Sequence, residues 1–276
     1  MIAVLYRLLN RSKVIYTCNG VVRYENKELK EVSLFYRLKD SICERMIFSF
    51  SDRIIFPSAN ALELSKEYYK KAALKAEVIP NGIDEAFRLI PGNAPARANT
   101  GRTINAVFIY KNEMNDSGLK FLKEFLSGSE SRIVVHIITN HKIEITGVHS
   151  EIKPVLPMNT EELAEFYHDK DVFFSLNDYD TFSISTAEAM AAGLIPVVTN
   201  QTGISSCIEH GVNGFTLNYG DTHSLSGIIK EIVTMDASKR LEMKRNASAI
   251  YDKLNWNAAA ESYMHHYKQL AGDQND

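Results

Sequence analysis

Short apolar runs alternate with amphipathic helical patterns through the second half of the chain. Strands are predicted at 104–109, 133–139, 171–176 and 195–199. Helices are predicted at about 118–127, 161–168 and 224–235, the last with Leu225, Ile228, Ile229, Ile232 and Val233 on one face. Because a helix between two strands lets the chain return to the same edge of a sheet, this alternation favours parallel pairing. The pattern predicts an α/β fold with a doubly wound parallel sheet.

A shorter series of the same kind lies nearer the N-terminus. Its strand-like runs are at 13–17, 53–57 and 77–80, and its helical patterns are at about 33–50 and 59–73. Residues 91–102 then break the pattern, because they are small, polar and rich in Pro and Gly, which is typical of a linker. We therefore expect two domains, of which the first carries fewer strands than a complete domain of this type.

The composition restricts the partners and the compartment. A net charge of -3 gives no electrostatic reason to expect nucleic acid as a partner. The three cysteines are scattered, which argues against a disulfide framework and against a zinc site. The apolar start of the chain is interrupted by Arg7 and makes a poor signal peptide. We expect a cytoplasmic protein, with peripheral contact at the inner membrane surface as a further option.

The predicted helix at 33–50 is the segment that leaves this option open. It mixes the cations Arg37, Lys39 and Arg45 with large apolar residues. Such a pattern could face anionic lipid. A helix packed on the core with a solvated edge explains the same residues, and the sequence alone favours that interpretation.

The segment from Asp180 to Glu188 is the strongest candidate for ligand binding. Two carboxylates eight positions apart flank a loop-to-helix junction that carries Thr181, Ser183, Ser185 and Thr186. These hydroxyls can cap the helix start, and the free amides there suit a phosphate. Taken alone, acidic residues at a helix start more often only complement its dipole. The surrounding sequence favours the ligand-binding interpretation.

Five segments in order carry a family resemblance. They are Ile79-Pro80-Asn81-Gly82-Ile83-Asp84, the Asp180–Glu188 pair, Ala189-Met190-Ala191-Ala192-Gly193-Leu194-Ile195-Pro196, the glycine loop from Gly203 through Gly211 to Gly214, and Leu254-Asn255-Trp256 with its following helix. Together these segments resemble the group 1 (family 4) glycosyltransferases, which are retaining enzymes of the GT-B fold. The resemblance covers about 13–270.

The resemblance implies two Rossmann-like domains with a cleft between them. The partial N-terminal, acceptor-side domain would comprise 1–90 and be joined by the C-terminal helix 255–276, and the nucleotide-sugar domain would comprise 91–254. The family's first strand and glycine-rich loop would lie before residue 1, so a protein partner that supplies the missing segment is an option.

The resemblance also assigns roles to individual residues. Glu188 would bind the ribose hydroxyls, and Asp180 would touch the transferred sugar. The amides of Thr181, Phe182, Ser183 and Ile184 would meet the diphosphate, and the loop at Gly203 would support the donor. The partners implied are a nucleotide sugar and a glycan or lipid-linked acceptor, with no cofactor and no metal.

Several positions depart from the family pattern. Lys111 stands for a catalytic Arg, as a point charge instead of a bidentate fork. Ser117 stands where a Lys is expected, and Asn19 before Gly20 stands for the acceptor-side His. These departures keep a second hypothesis open, a catalytically impaired nucleotide-binding or partner subunit of a split glycosyltransferase. A sugar-nucleotide epimerase or phosphorylase on the same scaffold is a third, weaker alternative.

Overall fold

The computed structural model describes residues 7, 10, 12–22, 24–25, 33–89, 103–111, 116–129, 133–145 and 149–272. The predicted linker at 91–102 lies outside these residues. The chain divides into two compact units, Met1–Gly82 with Trp256–Asp276, and Ile83–Asn255. No helix in the described part of the chain is both long and apolar enough to cross a bilayer.

The first boundary between the units lies earlier than the one predicted at 90–91. Ile83 and Phe87 are buried in the core of the second unit, where the Phe87 ring lies 6.0 Å from the ring of Tyr167. Asn255 forms a parallel β-bridge with Ile83 and so belongs to the second unit as well. Burial of these apolar side chains assigns residues 83–89 to the second unit, which composition alone did not reveal.

Within its described residues, the first unit is built on three parallel strands in the order β1-β2-β3. The strands are β1 (Ile15–Thr17), β2 (Arg53–Phe56) and β3 (Ala76–Val78). Helix α1 (Leu34–Phe50) connects β1 with β2, and α2 (Ala59–Tyr68) begins where Ser58 accepts a hydrogen bond from the amide of Ala61 at 3.1 Å. The predicted helix at 59–73 breaks at Tyr68 and continues as the 3₁₀ segment Lys70–Lys75. The C-terminal helix, Trp256–Gly272, belongs to this unit.

The second unit has six parallel strands in the order β6-β5-β4-β7-β8-β9. The strands are β4 (Ile104–Ile109), β5 (Ile133–Ile138), β6 (Glu151–Val155), β7 (Val172–Ser175), β8 (Ile195–Thr199) and β9 (Phe215–Leu217). The helices are α3 (Asp116–Gly128), α4 (Thr160–Tyr167), α5 (Ile184–Ala191), α6 (Thr222–Thr234), α7 (Ala237–Ser248) and α8 (Ile250–Lys253). The chain winds outward from β4 to β6 and then returns to place β7 on the other side of β4. The predicted doubly wound α/β fold is therefore correct.

Side-chain alternation along β4 gives this sheet two buried faces. Ala106 and Phe108 enter one apolar cluster, and Val107 between them enters the other. The first cluster includes Leu225, Ile228, Ile229 and Ile232 of α6, so the predicted apolar stripe of that helix packs on the sheet. A parallel sheet needs helices packed on both faces, and the amphipathic helices of this chain meet that need.

Strands β6 and β9 were not predicted. β6 lies at the sheet edge with mostly exposed or half-buried residues, and it contains Pro154, which an edge strand tolerates. β9 has three residues. Neither segment has the long apolar run that identified the central strands.

Gly214, immediately before β9, packs against β8. A Cβ atom at this position would contact the Pro196 ring and lie 2.9 Å from the Pro196 carbonyl oxygen.

We expect Gly214→Ala to lower the free energy of unfolding by about 1–3 kcal/mol through overpacking. The matched control is Gly227→Ala within α6, where no atom lies within 4 Å of the added Cβ. That change should stabilise the protein by about 1 kcal/mol, because alanine favours helix. Urea unfolding of both variants tests this, and equal effects would contradict it.

Candidate functional site

The strand order creates a switch point between β4 and β7. These two strands are neighbours, but the connections that leave them run toward opposite ends of the sheet. In open α/β sheets, ligands bind outside the carboxyl ends of the strands at such a point. Lys111 follows β4, and the segment Asp180–Glu188 follows β7. The predicted catalytic and donor-binding residues of the second half therefore meet at this switch point.

Charge couples the three ionisable residues here. Burial raises the pKa of Asp180, while hydrogen bonds from two amides and the charge of Lys111 oppose that shift. Burial also raises the pKa of Glu188, and the charge of Lys111 again opposes the shift. Lys111 itself is exposed. One exposed cation thus lies near two half-buried carboxylates, an arrangement suited to a ligand that carries both phosphate and hydroxyl groups.

Asp180 organises the loop that precedes α5. Its Oδ1 accepts hydrogen bonds from the amides of Phe182 at 3.0 Å and Ser183 at 2.9 Å. These are two of the four amides that we assigned to a diphosphate, so in the ligand-free protein they are already bonded to a carboxylate. A phosphate could take them only if the Asp180 side chain moved away.

Ser183 is the N-cap of α5, but its side chain does not cap the helix. Its φ is 73°, and no other non-glycine residue in the described ranges has a positive φ. The hydroxyl lies 2.7 Å from Thr186 Oγ1 and 3.2 Å from Ser175 Oγ. The prediction that serine hydroxyls cap this helix is wrong for Ser183, because the left-handed backbone directs its side chain into a buried hydroxyl cluster. Such conformations are costly and concentrate at functional sites.

Glu188 lies in the second turn of α5 and is half-buried. Burial is the main reason that its pKa is raised to about 7. The charge of Lys111 lowers this pKa, and the charge of Asp84 raises it. Tyr167 is fully buried on α4, and its hydroxyl has no hydrogen-bond partner among the described residues. Burial and the charge of Glu188 together raise the pKa of this phenol well above its usual value. Because its pKa is about 7, Glu188 can be protonated near neutral pH in the ligand-free protein.

This pKa predicts a pH-dependent stability. Because folding raises the pKa of Glu188 from 4.5 to about 7, the folded state binds the proton more tightly, and the stabilisation is complete below about pH 4.5. It is lost as the pH rises through about 7. For a half-exposed group we expect a loss of about 1–2 kcal/mol.

Glu188→Gln should lack this loss, because glutamine does not titrate. Urea unfolding of both proteins at pH 5 and pH 8 measures the difference, and the shared contribution of Asp180, whose pKa is raised in the same direction, cancels between them. Parallel pH profiles for the two proteins would show that the assigned pKa is wrong.

Ser117 is held in a closed polar pair. Its hydroxyl donates to Asp178 Oδ1 at 2.8 Å and accepts from the Asp178 amide at 3.3 Å. Gly118 beside it approaches the Asn177 side chain so closely that a Cβ atom would collide with Asn177 Oδ1. The place where the family pattern has a lysine is therefore occupied by a serine bonded to the turn after β7.

Gly203 contributes to the site through its backbone. Its amide donates to the Asp180 carbonyl oxygen at 2.9 Å, and Asp180 and Thr202 form a parallel β-bridge. This hydrogen bond attaches the Gly203 loop, which we expected to support the donor, to the Asp180 loop. The role of Gly203 in this structure is support.

Asn19 and Gly20, the predicted acceptor-side residues, belong to the first unit and follow β1. Asn19 is exposed, and the Gly20 carbonyl accepts a hydrogen bond from Cys18 Sγ. Glu44, which is buried, accepts from the Val22 amide at 2.8 Å and from the Tyr69 hydroxyl at 2.6 Å. Glu44 thus anchors the residues after the Asn19 turn to α1.

Sequence reasoning missed three supporting residues, Glu44, Tyr167 and Asn177. Glu44 had no distinguishing signal, because its side of the predicted helix carries Arg37 and Asp40 as well as Ile47 and Phe48. No sequence signal singled out Tyr167 or Asn177, apart from their positions next to predicted elements. Within the described ranges no cluster of His, Cys, Asp and Glu side chains is placed to bind a metal ion, and the metal-free site stays a prediction.

Two family models match the chain. The model "Glycosyltransferase Family 4" matches residues 1–87, and "Glycosyl transferases group 1" matches residues 139–249. Among curated proteins, D-inositol 3-phosphate glycosyltransferase of Acidothermus cellulolyticus is 20% identical over 95% of this chain and 63% of its own length. A GDP-mannose:cellobiosyl-diphosphopolyprenol alpha-mannosyltransferase of Komagataeibacter xylinus is 24% identical over 46% of this chain and 32% of its own. The matches thus span less than two thirds of these relatives.

Solved structures share the fold. Sucrose-phosphate synthase from Thermosynechococcus elongatus aligns with 97% of this chain and 71% of its own, at a TM-score of 0.75 and 16% identity. The HepE protein of Anabaena in complex with UDP-glucose aligns with 97% of this chain and 75% of its own, at a TM-score of 0.72 and 17% identity. At these identities the similarity concerns the fold.

Proposed function

The chain belongs to the group 1 glycosyltransferases of the GT-B fold, and from that premise we propose that it binds a nucleoside diphosphate sugar and transfers the sugar to a glycan or lipid-linked acceptor. The observation that carries this proposal is the meeting of Lys111, Asp180 and Glu188 at the switch point of the second sheet. A UDP-sugar is the first donor to test, because the HepE relative of this fold holds UDP-glucose.

We assign nucleotide recognition to Glu188. A carboxylate with a raised pKa is poorly solvated before the ligand arrives. Two ribose hydroxyls would replace the missing water with charge-assisted hydrogen bonds, which are stronger than neutral ones. In this assignment, nucleotide binding favours the ionised carboxylate and releases a proton at pH values below about 7.

Lys111 is assigned to the diphosphate. In sugar transfer the leaving diphosphate gains negative charge as the glycosidic bond breaks, and a cation placed there in advance lowers the barrier. Lys111 follows the carboxyl end of β4 and its charge acts on both Asp180 and Glu188, so it is already at the site before a ligand binds. The proposal includes retention of configuration and no metal requirement, both of which the family resemblance implies.

Asp180 has two successive roles in the proposal. In the ligand-free protein its carboxylate bonds to the amides of Phe182 and Ser183. When the diphosphate arrives, the phosphate oxygens replace the carboxylate on these amides, and Asp180 turns toward the sugar hydroxyls. The strained backbone at Ser183 is compatible with a loop that has a second arrangement.

A second candidate function is that of a nucleotide-binding or partner subunit in a split glycosyltransferase. The observation that favours it is the Ser117–Asp178 pair, which stands where the family has a second cation. Removing such a charge lowers transition-state stabilisation more than ground-state binding. In this case the isolated chain binds a nucleotide sugar but turns it over slowly.

Two measurements distinguish these functions. Thermal-shift titration with UDP, GDP, ADP and TDP identifies the base, because a ligand that binds only the folded state stabilises it by mass action. Incubation with radiolabelled nucleotide sugars then detects transfer or hydrolysis. A selective shift with turnover supports the transferase, and a selective shift without turnover supports the subunit. No shift with any nucleotide would exclude both.

A further inference from the structure

Helix α1 of the first unit has an apolar face that the described part of the unit does not cover. Phe35, Leu38 and Ile42 on this face are 72%, 60% and 52% exposed. At roughly 100° per residue these three side chains lie within about 60° of the helix circumference. The opposite side carries Phe48 and Glu44, which are both buried. The helix therefore packs on its sheet through one side and presents a second apolar side outward.

The exposed charged side chains of α1 all have the same sign. Lys39 and Arg45 are exposed and lie on either edge of the Phe35–Leu38–Ile42 stripe, by the same helical spacing. The two acidic residues of α1 are not exposed, since Glu44 is bonded to the Val22 amide and the Tyr69 hydroxyl and Asp40 is half-buried. The exposed side of α1 is consequently apolar in the middle and cationic at both edges.

We propose that this face of α1 docks on the surface of a membrane containing anionic lipid. An apolar stripe of this width can enter the boundary between headgroups and acyl chains, and lysine and arginine at its edges extend their charged ends to the phosphates. The helix packs on the core as we expected, but its outward side carries the exposed side chains of Phe35, Leu38 and Ile42 besides Ser49, so this side is not only a polar, solvated edge. The inference does not depend on sugar transfer, but such docking would bring the chain to a lipid-linked acceptor.

Vesicle flotation of the full chain tests the proposal. We expect binding to phosphatidylcholine vesicles that contain phosphatidylglycerol, and weaker binding to phosphatidylcholine alone or at high salt. Ile42→Ser and Phe35→Ser should each lower the partition coefficient about tenfold, because each removes apolar area from the interface. Lys39→Gln and Arg45→Gln should each lower it about fivefold. These side chains are exposed, so the variants should keep the wild-type melting temperature.

The matched control is Leu156→Ser, which removes another exposed leucine, outside α1, and should leave vesicle binding unchanged. Absence of binding to anionic vesicles would overturn the proposal, and so would binding that Ile42→Ser and Lys39→Gln leave intact. Light scattering gives a further test. If the wild-type protein is a dimer that Ile42→Ser dissociates, a second copy of the chain occupies this face, and the proposal is overturned. A chain that binds vesicles but no nucleotide would reject the proposed function and leave this inference standing.

Discussion

Glu188→Ala is expected to weaken nucleotide binding by roughly 10- to 150-fold, because hydrogen bonds to a charged group contribute about 1.5–3 kcal/mol. The side chain is half-buried, and burial raises its pKa, so in the proposed function ribose hydroxyls would supply the hydrogen bonds that water does not. The thermal shift that the selected nucleotide produces in the wild-type protein should be nearly absent in the variant. Isothermal titration calorimetry at pH 8, where the carboxylate is ionised, measures the affinity directly.

Two controls make the Glu188 result specific. Glu242→Ala removes an exposed glutamate from α7 and should leave affinity unchanged. Glu188→Ala itself should not unfold the protein at pH 8, since burial disfavours the ionised carboxylate and its removal eliminates that cost. If the folded variant bound the nucleotide as tightly as wild type, the ribose assignment would be wrong.

Lys111→Met is expected to lower kcat/KM by about 10²–10³-fold, the usual effect of removing one preorganised electrostatic donor from a transition state. Donor affinity should fall less, because the charge on the diphosphate grows as the glycosidic bond breaks. The measurement is steady-state transfer from the donor that the nucleotide-sugar panel identifies. Lys111→Arg should stay within about tenfold of wild type, since it keeps the charge and adds a fork suited to phosphate.

Lys120→Met supplies the comparison for Lys111. Lys120 is also exposed and lies on α3, which follows β4 along the chain. We expect no more than a small change in kcat/KM from this substitution. Equal losses at the two positions would mean that the effect is general surface electrostatics and not a contact with the diphosphate.

The sequence predicted the central strands well and the edges poorly. β4 and β8 begin and end at the predicted residues, because continuous apolar runs mark strands that are buried on both faces. β6, with Glu151, Lys153 and Pro154, has no such run, and its pairing with β5 depends on neighbours distant in the chain. Three-residue β9 likewise depends on β8 for its definition.

The sequence predicted the residues of the candidate site but not the contacts that they make. Asp180 and Glu188 were singled out from their spacing together with the family resemblance, and Lys111 from the resemblance, in which it stands for a catalytic Arg. That Asp180 bonds to the amides of Phe182 and Ser183 was not predictable, because it depends on the left-handed backbone at Ser183. The pKa of Glu188 was not predictable either, since it results from burial by residues that are remote in sequence.

The period of apolar residues specifies the alternation of strands and helices, and with it the parallel sheet, because it decides whether a segment can bury a strand or one helix face. The sequence also specifies which residues carry charge at the ends of β4 and β7. The folded structure was needed to show that those strand ends are neighbours and that the Asp180 carboxylate accepts hydrogen bonds from amides expected to be free. It was also needed to show that Phe35, Leu38 and Ile42 face outward. Hydrogen-bond partners, burial and exposure are properties of groups brought together by folding, and local sequence does not specify which groups those are.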